Sequence, residues 1–142
     1  MNGFLVDTNV ISEILRPVPD AHVAAWSQRS VRQMLFLSVV SMGELRKGVT
    51  VLPASRRRTQ LEKSIQAQIP RWFEGRILSV TQAIAERWGE LDGARQIAGR
   101  PLSAPDGMIA AAALEHDLTV VTRNVKDFAG LGVTLLSPWL DR

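Results

Sequence analysis

The chain alternates short apolar runs with longer stretches in which apolar residues recur every third or fourth position. Phe4-Leu5-Val6 is the first run, ended by Asp7-Thr8-Asn9, after which Val10, Ile11, Ile14 and Leu15 follow at helical spacing until Pro17. That order predicts a strand and then a helix. A second helix is expected over Asp20 to Arg29, a buried strand over Met34 to Leu37 ending at Ser38, and another helix beginning near Ser41. Ser55 to Trp72 reads as one long helix with Leu61, Ile65 and Ile69 turned inward. A third strand, Ile77 to Val80, and a helix capped by Thr81 come next. Ile84, Trp88, Leu91 and Ile97 line that helix until Gly99-Arg100-Pro101 breaks it, and Pro105 marks a new start whose apolar body is Met108 to Leu114. Leu118 to Thr122 predicts a fourth strand and Val133 to Leu136 a short fifth, closed by Pro138.

Half-exposed strands would alternate apolar and polar residues; these are apolar throughout and separated by helices. They predict an α/β fold with a mostly parallel sheet covered on both faces. At 142 residues the chain has the size of one domain, 1–142, without repeats, linkers or low-complexity segments.

In such sheets ligands bind beyond the carboxyl ends of the strands, and the side chains expected there are acidic. Asp7 follows the first strand, Glu44 opens the helix after the second, Asp106 opens the helix before the fourth, and Asn124 and Asp127 follow the fourth. Each has a plain structural explanation as well. Ser41-Met42-Gly43-Glu44, Ser103-Ala104-Pro105-Asp106 and Asn124-Val125-Lys126-Asp127 all fit a capping residue followed three positions later by an acid. Taken together, however, clustered carboxylates repel one another unless a cation neutralises them. A hard ion such as Mg²⁺ or Mn²⁺, which prefers carboxylate and water oxygens and keeps several waters, suits that set and leaves room for a phosphate.

Composition narrows the chemistry further. With no cysteine there is no disulfide, thiolate zinc site or thiol nucleophile, so any metal must use oxygen or imidazole. The start lacks the features of a signal peptide, and no apolar stretch approaches the roughly 18–20 residues of a membrane helix, which predicts a cytoplasmic protein without a membrane partner. Seventeen basic against fourteen acidic residues give a formal +3, and fourteen of the seventeen are arginine, whose planar fork suits phosphate. Arg56-Arg57-Arg58 lies near a helix start, where positive charge is unfavourable; it is a candidate RNA or partner contact, with a solvated face as the alternative. His22 and His116 read as surface residues, and Trp26, Trp72, Trp88 and Trp139 as core or interface anchors.

Four blocks in order, Leu5-Val6-Asp7-Thr8-Asn9-Val10, Ser41 to Gly48, Pro105 to Ala111 and Thr122 to Phe128, resemble the PIN-domain ribonucleases, and within them the VapC-type toxins of bacterial toxin–antitoxin pairs. The resemblance covers nearly the whole chain. It implies a three-layer α/β/α fold, Mg²⁺- or Mn²⁺-dependent RNA cleavage, homodimerisation and inhibition by a VapB-like antitoxin. It places Asp7, Glu44 and Asp106 at the acidic metal-site positions and Thr8 at the hydroxyl beside the first. Where the family often has a fourth acid this chain has Asn124, with Asp127 one turn on, which leaves open whether one or two metals bind.

The expected chemistry is in-line attack of a cation-activated water on the scissile phosphate, with Glu44 or Asp106 orienting or deprotonating the water. Two phosphotransfer folds also put an aspartate after the first strand. A haloacid-type phosphatase needs a second aspartate where this chain has Asn9, and a response-regulator receiver needs one where it has Thr81. The alternative of a different class is a non-catalytic basic nucleic-acid-binding module on the same fold.

Overall fold

In a computed structural model that describes residues 3–140, every apolar run becomes a strand of one sheet. Strands β1 (Phe4–Val6), β2 (Leu35–Ser38), β3 (Ile77–Leu78), β4 (Thr119–Val121) and β5 (Leu135–Leu136) lie in the order β3-β2-β1-β4-β5. All four pairings are parallel, and at the centre Leu5 stands beside Phe36 on one side and Val120 on the other. Parallel neighbours need a crossover between them, and helices supply it.

Helices α1 (Thr8–Ile14), α2 (Ala21–Arg29), α3 (Val39–Thr50), α4 (Arg56–Lys63) and α5 (Ile69–Trp72) cover one face. Helices α6 (Gln82–Ile97), α7 (Ala104–His116) and α8 (Val125–Phe128) cover the other. Because successive strand residues point to opposite faces, Val6 and Val121 join one core with Ile11, Trp26, Leu37 and Ile69. Their neighbours Leu5 and Val120 join the second, with Ile84, Ile109 and Phe128. The result is the expected three-layer α/β/α arrangement.

Three local differences have physical causes. The helix expected near Ser41 starts two residues earlier, because the Ser38 hydroxyl, at the extended end of β2, accepts from the Val40 amide at 3.1 Å and caps α3. Ser41 is therefore inside the helix, and Glu44 sits in its second turn. The long helix over Ser55 to Trp72 forms as α4 and α5 joined by a π-helical turn, Ser64–Gln68. Pro70 has no amide to offer, and the helix widens in the turn before it. The outer strands β3 and β5 are only two residues long, which shortens the unpaired edges.

Small residues let α7 lie close to its neighbours. Ala110 to Ala113 are all buried, and at Gly107 an added methyl would stand 2.6 Å from Trp88 Cδ1 and 2.9 Å from its Nε1, on α6. Trp88 thus anchors the α6–α7 contact one residue from Asp106. Gly107→Ala should destabilise the fold by about 1–3 kcal/mol through overpacking. Gly89→Ala, where nothing lies within 4 Å, should stabilise it by about 0.5–1 kcal/mol through helix propensity. Denaturant titrations of the two variants measure both, and equal effects would show that Trp88 does not close on Gly107.

Candidate active site

Asp7 follows β1 at the sheet's centre, where successive crossovers turn to opposite sides. Its amide donates to Val121 O at 2.8 Å, so the β1–β4 ladder itself fixes its position. Its carboxylate caps α1: Oδ1 accepts from the Thr8 amide at 2.7 Å, and Oδ2 accepts from the Thr122 hydroxyl at 2.8 Å and from Asn9 Nδ2 at 3.2 Å. Only 3% of the residue is exposed. Burial raises the Asp7 pKa to about 6 against the pull of the Thr122 and Thr8 hydrogen bonds, and the charges of Asp106 and Glu44 add to the rise.

Glu44 reaches the same place from α3. Its Oε1 accepts from the Thr8 hydroxyl at 2.6 Å, and that hydroxyl also lies 2.8 Å from the fully buried Ser41 Oγ. Asp106 arrives from the first turn of α7, which Ser103 caps by accepting the Asp106 amide at 3.3 Å. Its pKa is also raised, first by burial, with Ser103 opposing and the charges of Asp127 and Glu44 adding to the rise.

These three carboxylates border one open cleft of about 550 Å³, together with Thr8, Asn9, Arg123 and Asn124. Asp127 borders a neighbouring cleft that shares Asp106. The capping motif expected at Asn124 does not form, since its side chain makes no cap bond; instead its amide donates to Thr122 Oγ1 at 3.0 Å. The arginine run lies elsewhere, at the start of α4. Arg57 donates to Leu15 O at 2.6 Å and Arg58 to Leu52 O at 2.9 Å, while Arg56 is exposed. His22 and His116 are exposed and outside the cleft, as expected. Trp26 is buried edge-on against Phe4, Trp72 and Trp139 pack partly buried against the same core, and Trp88 is partly buried against the other.

Sequence reasoning missed the polar side chains behind the acids. Thr122 is fully buried and ties Asp7, Asn9 and Asn124 together. Its place after β4 repeats that of Asp7 after β1, a signal present in the sequence. Glu13, buried in α1, accepts from the Asp20 amide at 2.9 Å and pairs with Arg16 at 3.3 Å, which pins the loop between α1 and α2 beside the cleft.

Among the described residues no three acidic or histidine side chains close into a ready-made chelate. An open set of separated carboxylates, two of them carrying raised pKa values from burial and mutual repulsion, fits a hydrated hard cation held through few direct bonds rather than an all-protein cage.

The sequence profile of the PIN domain matches residues 4–132. The chain belongs to the PIN domain family. It is 36% identical over 137 residues to toxin FitB of Neisseria gonorrhoeae, covering 96% of this chain and 99% of that protein. It is 32% identical over 135 residues to the VapC ribonuclease Y4jK of Sinorhizobium fredii, covering 95% and 96%. The crystal structure of FitAcB from Neisseria gonorrhoeae superimposes on this PIN domain with a TM-score of 0.89 at 36% identity, covering 96% of this chain and 99% of that one.

The raised pKa of Asp7 fixes the sign of a pH effect. Between about pH 4 and pH 6 the folded metal-free chain holds a proton that the unfolded chain releases. Its stability therefore rises as pH falls through that window and is lower above it, by about 3 kcal/mol at most. Asp7→Asn removes the ionised form. The metal-free variant should melt above wild type at pH 8, and the stability gap should narrow to about half by pH 5. Melting curves at the two pH values test this; a gap independent of pH would mean that Asp7 serves α1 only as a cap.

Proposed function

We propose that this PIN domain is a divalent-metal-dependent ribonuclease that hydrolyses RNA phosphodiester bonds, acting as the toxin of a toxin–antitoxin pair neutralised by a VapB-like antitoxin. The observation that carries this reading is the convergence of Asp7, Glu44 and Asp106, from three distant stretches of the chain, on one cleft beyond the carboxyl ends of the strands. The likeness to toxin FitB and to the VapC ribonuclease Y4jK supports it.

In this mechanism Asp7, Glu44 and Asp106 hold Mg²⁺ or Mn²⁺, with Asn124 and Asp127 as further candidates beside them. When bound, the cation supplies Lewis acidity that neutralises charge on the non-bridging phosphate oxygens and makes water more acidic. Thr8 keeps Glu44 aimed into the cleft, and Thr122 does the same for Asp7. Glu44 or Asp106 orients the attacking water and takes its proton as the water oxygen bonds to phosphorus; the bond to the leaving oxygen breaks and that oxygen takes up a proton from solvent. No side-chain nucleophile is needed. Arg123 and Asn124, at the rim, offer donors to the phosphate.

For the antitoxin, a hollow of about 330 Å³ on the α1–α2 side, lined by Ile11, Ile14, Trp26, Leu35 and Trp72, offers an apolar seat. A basic side chain of the partner entering the acidic cleft would compete with the cation. No helix is long and apolar enough to cross a membrane among the described residues.

The purified chain should cut RNA with Mg²⁺ or Mn²⁺ and stop on addition of EDTA. Asp106→Asn should remain folded and lose at least about 10²-fold in rate, the scale of one strong electrostatic contribution. Cleavage undiminished by EDTA would overturn the metal mechanism, and RNA binding without cleavage under either metal would make the chain a binding module. The toxin assignment has its own test: expressed in its natural host, the chain should be harmful alone and copurify with a small protein when that protein is co-expressed. A harmless chain that captures no partner refutes it.

A further inference from the structure

The acids that serve the proposed reaction also repel its substrate, since every phosphate of an RNA strand is negative. Cationic side chains next to the cleft can offset this only if their charge is not already spent on carboxylates. A second cleft of about 330 Å³ borders the active one and shares Asp106 with it; its other walls include Arg95, Arg100, Ser103, Lys126 and Asp127. Arg100 and Lys126 are exposed, and neither forms an ion pair among the described residues.

Arg95 has a different part. Its guanidinium donates to the carbonyls of Arg100 at 3.4 Å, Asp127 at 3.1 Å and Ala129 at 2.9 Å. It thereby fastens the segment between α6 and α7 to the end of α8 without neutralising its own charge. The two walls carrying Arg100 and Lys126 are thus held in place around a net positive groove whose acidic end is the active cleft. At the border of that cleft, Arg123 stands 5.3 Å above the Trp139 ring, again with no carboxylate partner among the described residues. Cations outside any ion pair therefore border both the acidic cleft and the groove adjoining it, an order that lets a strand approach the acids along its backbone.

We infer that the groove formed by Arg95, Arg100, Ser103 and Lys126 is the track for the RNA backbone on one side of the scissile bond, with Arg100 and Lys126 contacting the phosphates next to it. This rests on the ribonuclease reading above. The track is electrostatic and reads no base, so it sets affinity and register rather than sequence preference.

The test is binding, kept separate from cleavage. Fluorescence anisotropy with a labelled single-stranded RNA is measured on the full chain carrying Asp7→Asn, then with Arg100→Ala and Lys126→Ala added. A control instead adds Lys63→Ala and Arg71→Ala, which removes the same charge from exposed positions on the opposite face of the sheet. The track variant should bind at least about tenfold more weakly. Its dependence of log Kd on log salt should be shallower by about 0.7 for each lost phosphate contact, while the control stays within about twofold. In the chain with Asp7 intact, the same pair should raise KM with kcat within about twofold.

Equal weakening in track variant and control would reduce the effect to net charge and overturn the inference, as would unchanged affinity in both. If the track variant loses affinity as expected but no metal supports cleavage by the chain with Asp7 intact, the ribonuclease reading fails and the groove stands as a nucleic-acid site.

Discussion

Burying a carboxylate at the end of a central strand is costly, and the surroundings of Asp7 are arranged to offset that cost. Its two oxygens take hydrogen bonds from the Thr8 amide, the Thr122 hydroxyl and the Asn9 amide group, so three of its donors come from the first turn of α1 and from the residue after β4. Those contacts recover part of the desolvation and leave the rest as a raised pKa. The Thr122 contact also joins β1 to β4 at their carboxyl ends. A carboxylate whose charge disfavours the metal-free fold thus also helps tie β1 to β4.

The second constraint is that the like charges remain close. Asp7 and Asp106 each sit at a helix N-terminus, the first as the cap of α1 and the second in the first turn of α7, where the backbone amides and the helix dipole favour negative charge. Glu44 lacks that advantage, being in the second turn of α3, and depends instead on the hydroxyl of Thr8, backed by Ser41. For Asp7 and Asp106, capping and the proposed catalytic role are therefore not competing explanations. The helix ends make it possible to hold carboxylates together before any cation arrives, and the residual repulsion is what a cation would relieve.

Much of this was legible in the sequence because it rests on local patterns. Continuous apolar runs such as Phe4-Leu5-Val6 marked the strands, and their lack of alternation marked a sheet covered on both faces. The strand-end rule then placed Asp7, Glu44 and Asp106 in one region. What the sequence did not disclose depends on distance in three dimensions. Ser41 looked like a cap because Glu44 follows three residues later, yet Ser38 takes that role and Ser41 turns inward to Thr8. Thr122 is an ordinary β-branched strand residue until β1 and β4 are paired, after which its hydroxyl faces Asp7. Glu13 is one polar position on a short helix, and only the folded loop at Asp20 shows why it is buried.

The arginine excess illustrates the same limit. Composition treats fourteen guanidinium groups as one signal for phosphate, but the fold divides them by what their donors meet. Arg57, Arg58, Arg76 and Arg95 spend donors on backbone carbonyls at segment ends, including Leu15, Leu52, Trp72 and Ala129. These arginines work as staples, satisfying carbonyls that no helix or strand can. The conspicuous run at Arg56 to Arg58 belongs largely to this structural class. The cations at the clefts, Arg16, Arg123, Arg100 and Lys126, are scattered singly along the chain. They share a surface only because the crossovers on either side of β1 bring α1, the segment after β4 and the α6–α7 connection to the same edge of the sheet. A basic run in sequence thus says little about where a polyanion would bind, whereas the topology that gathers the acids also gathers the isolated cations around them.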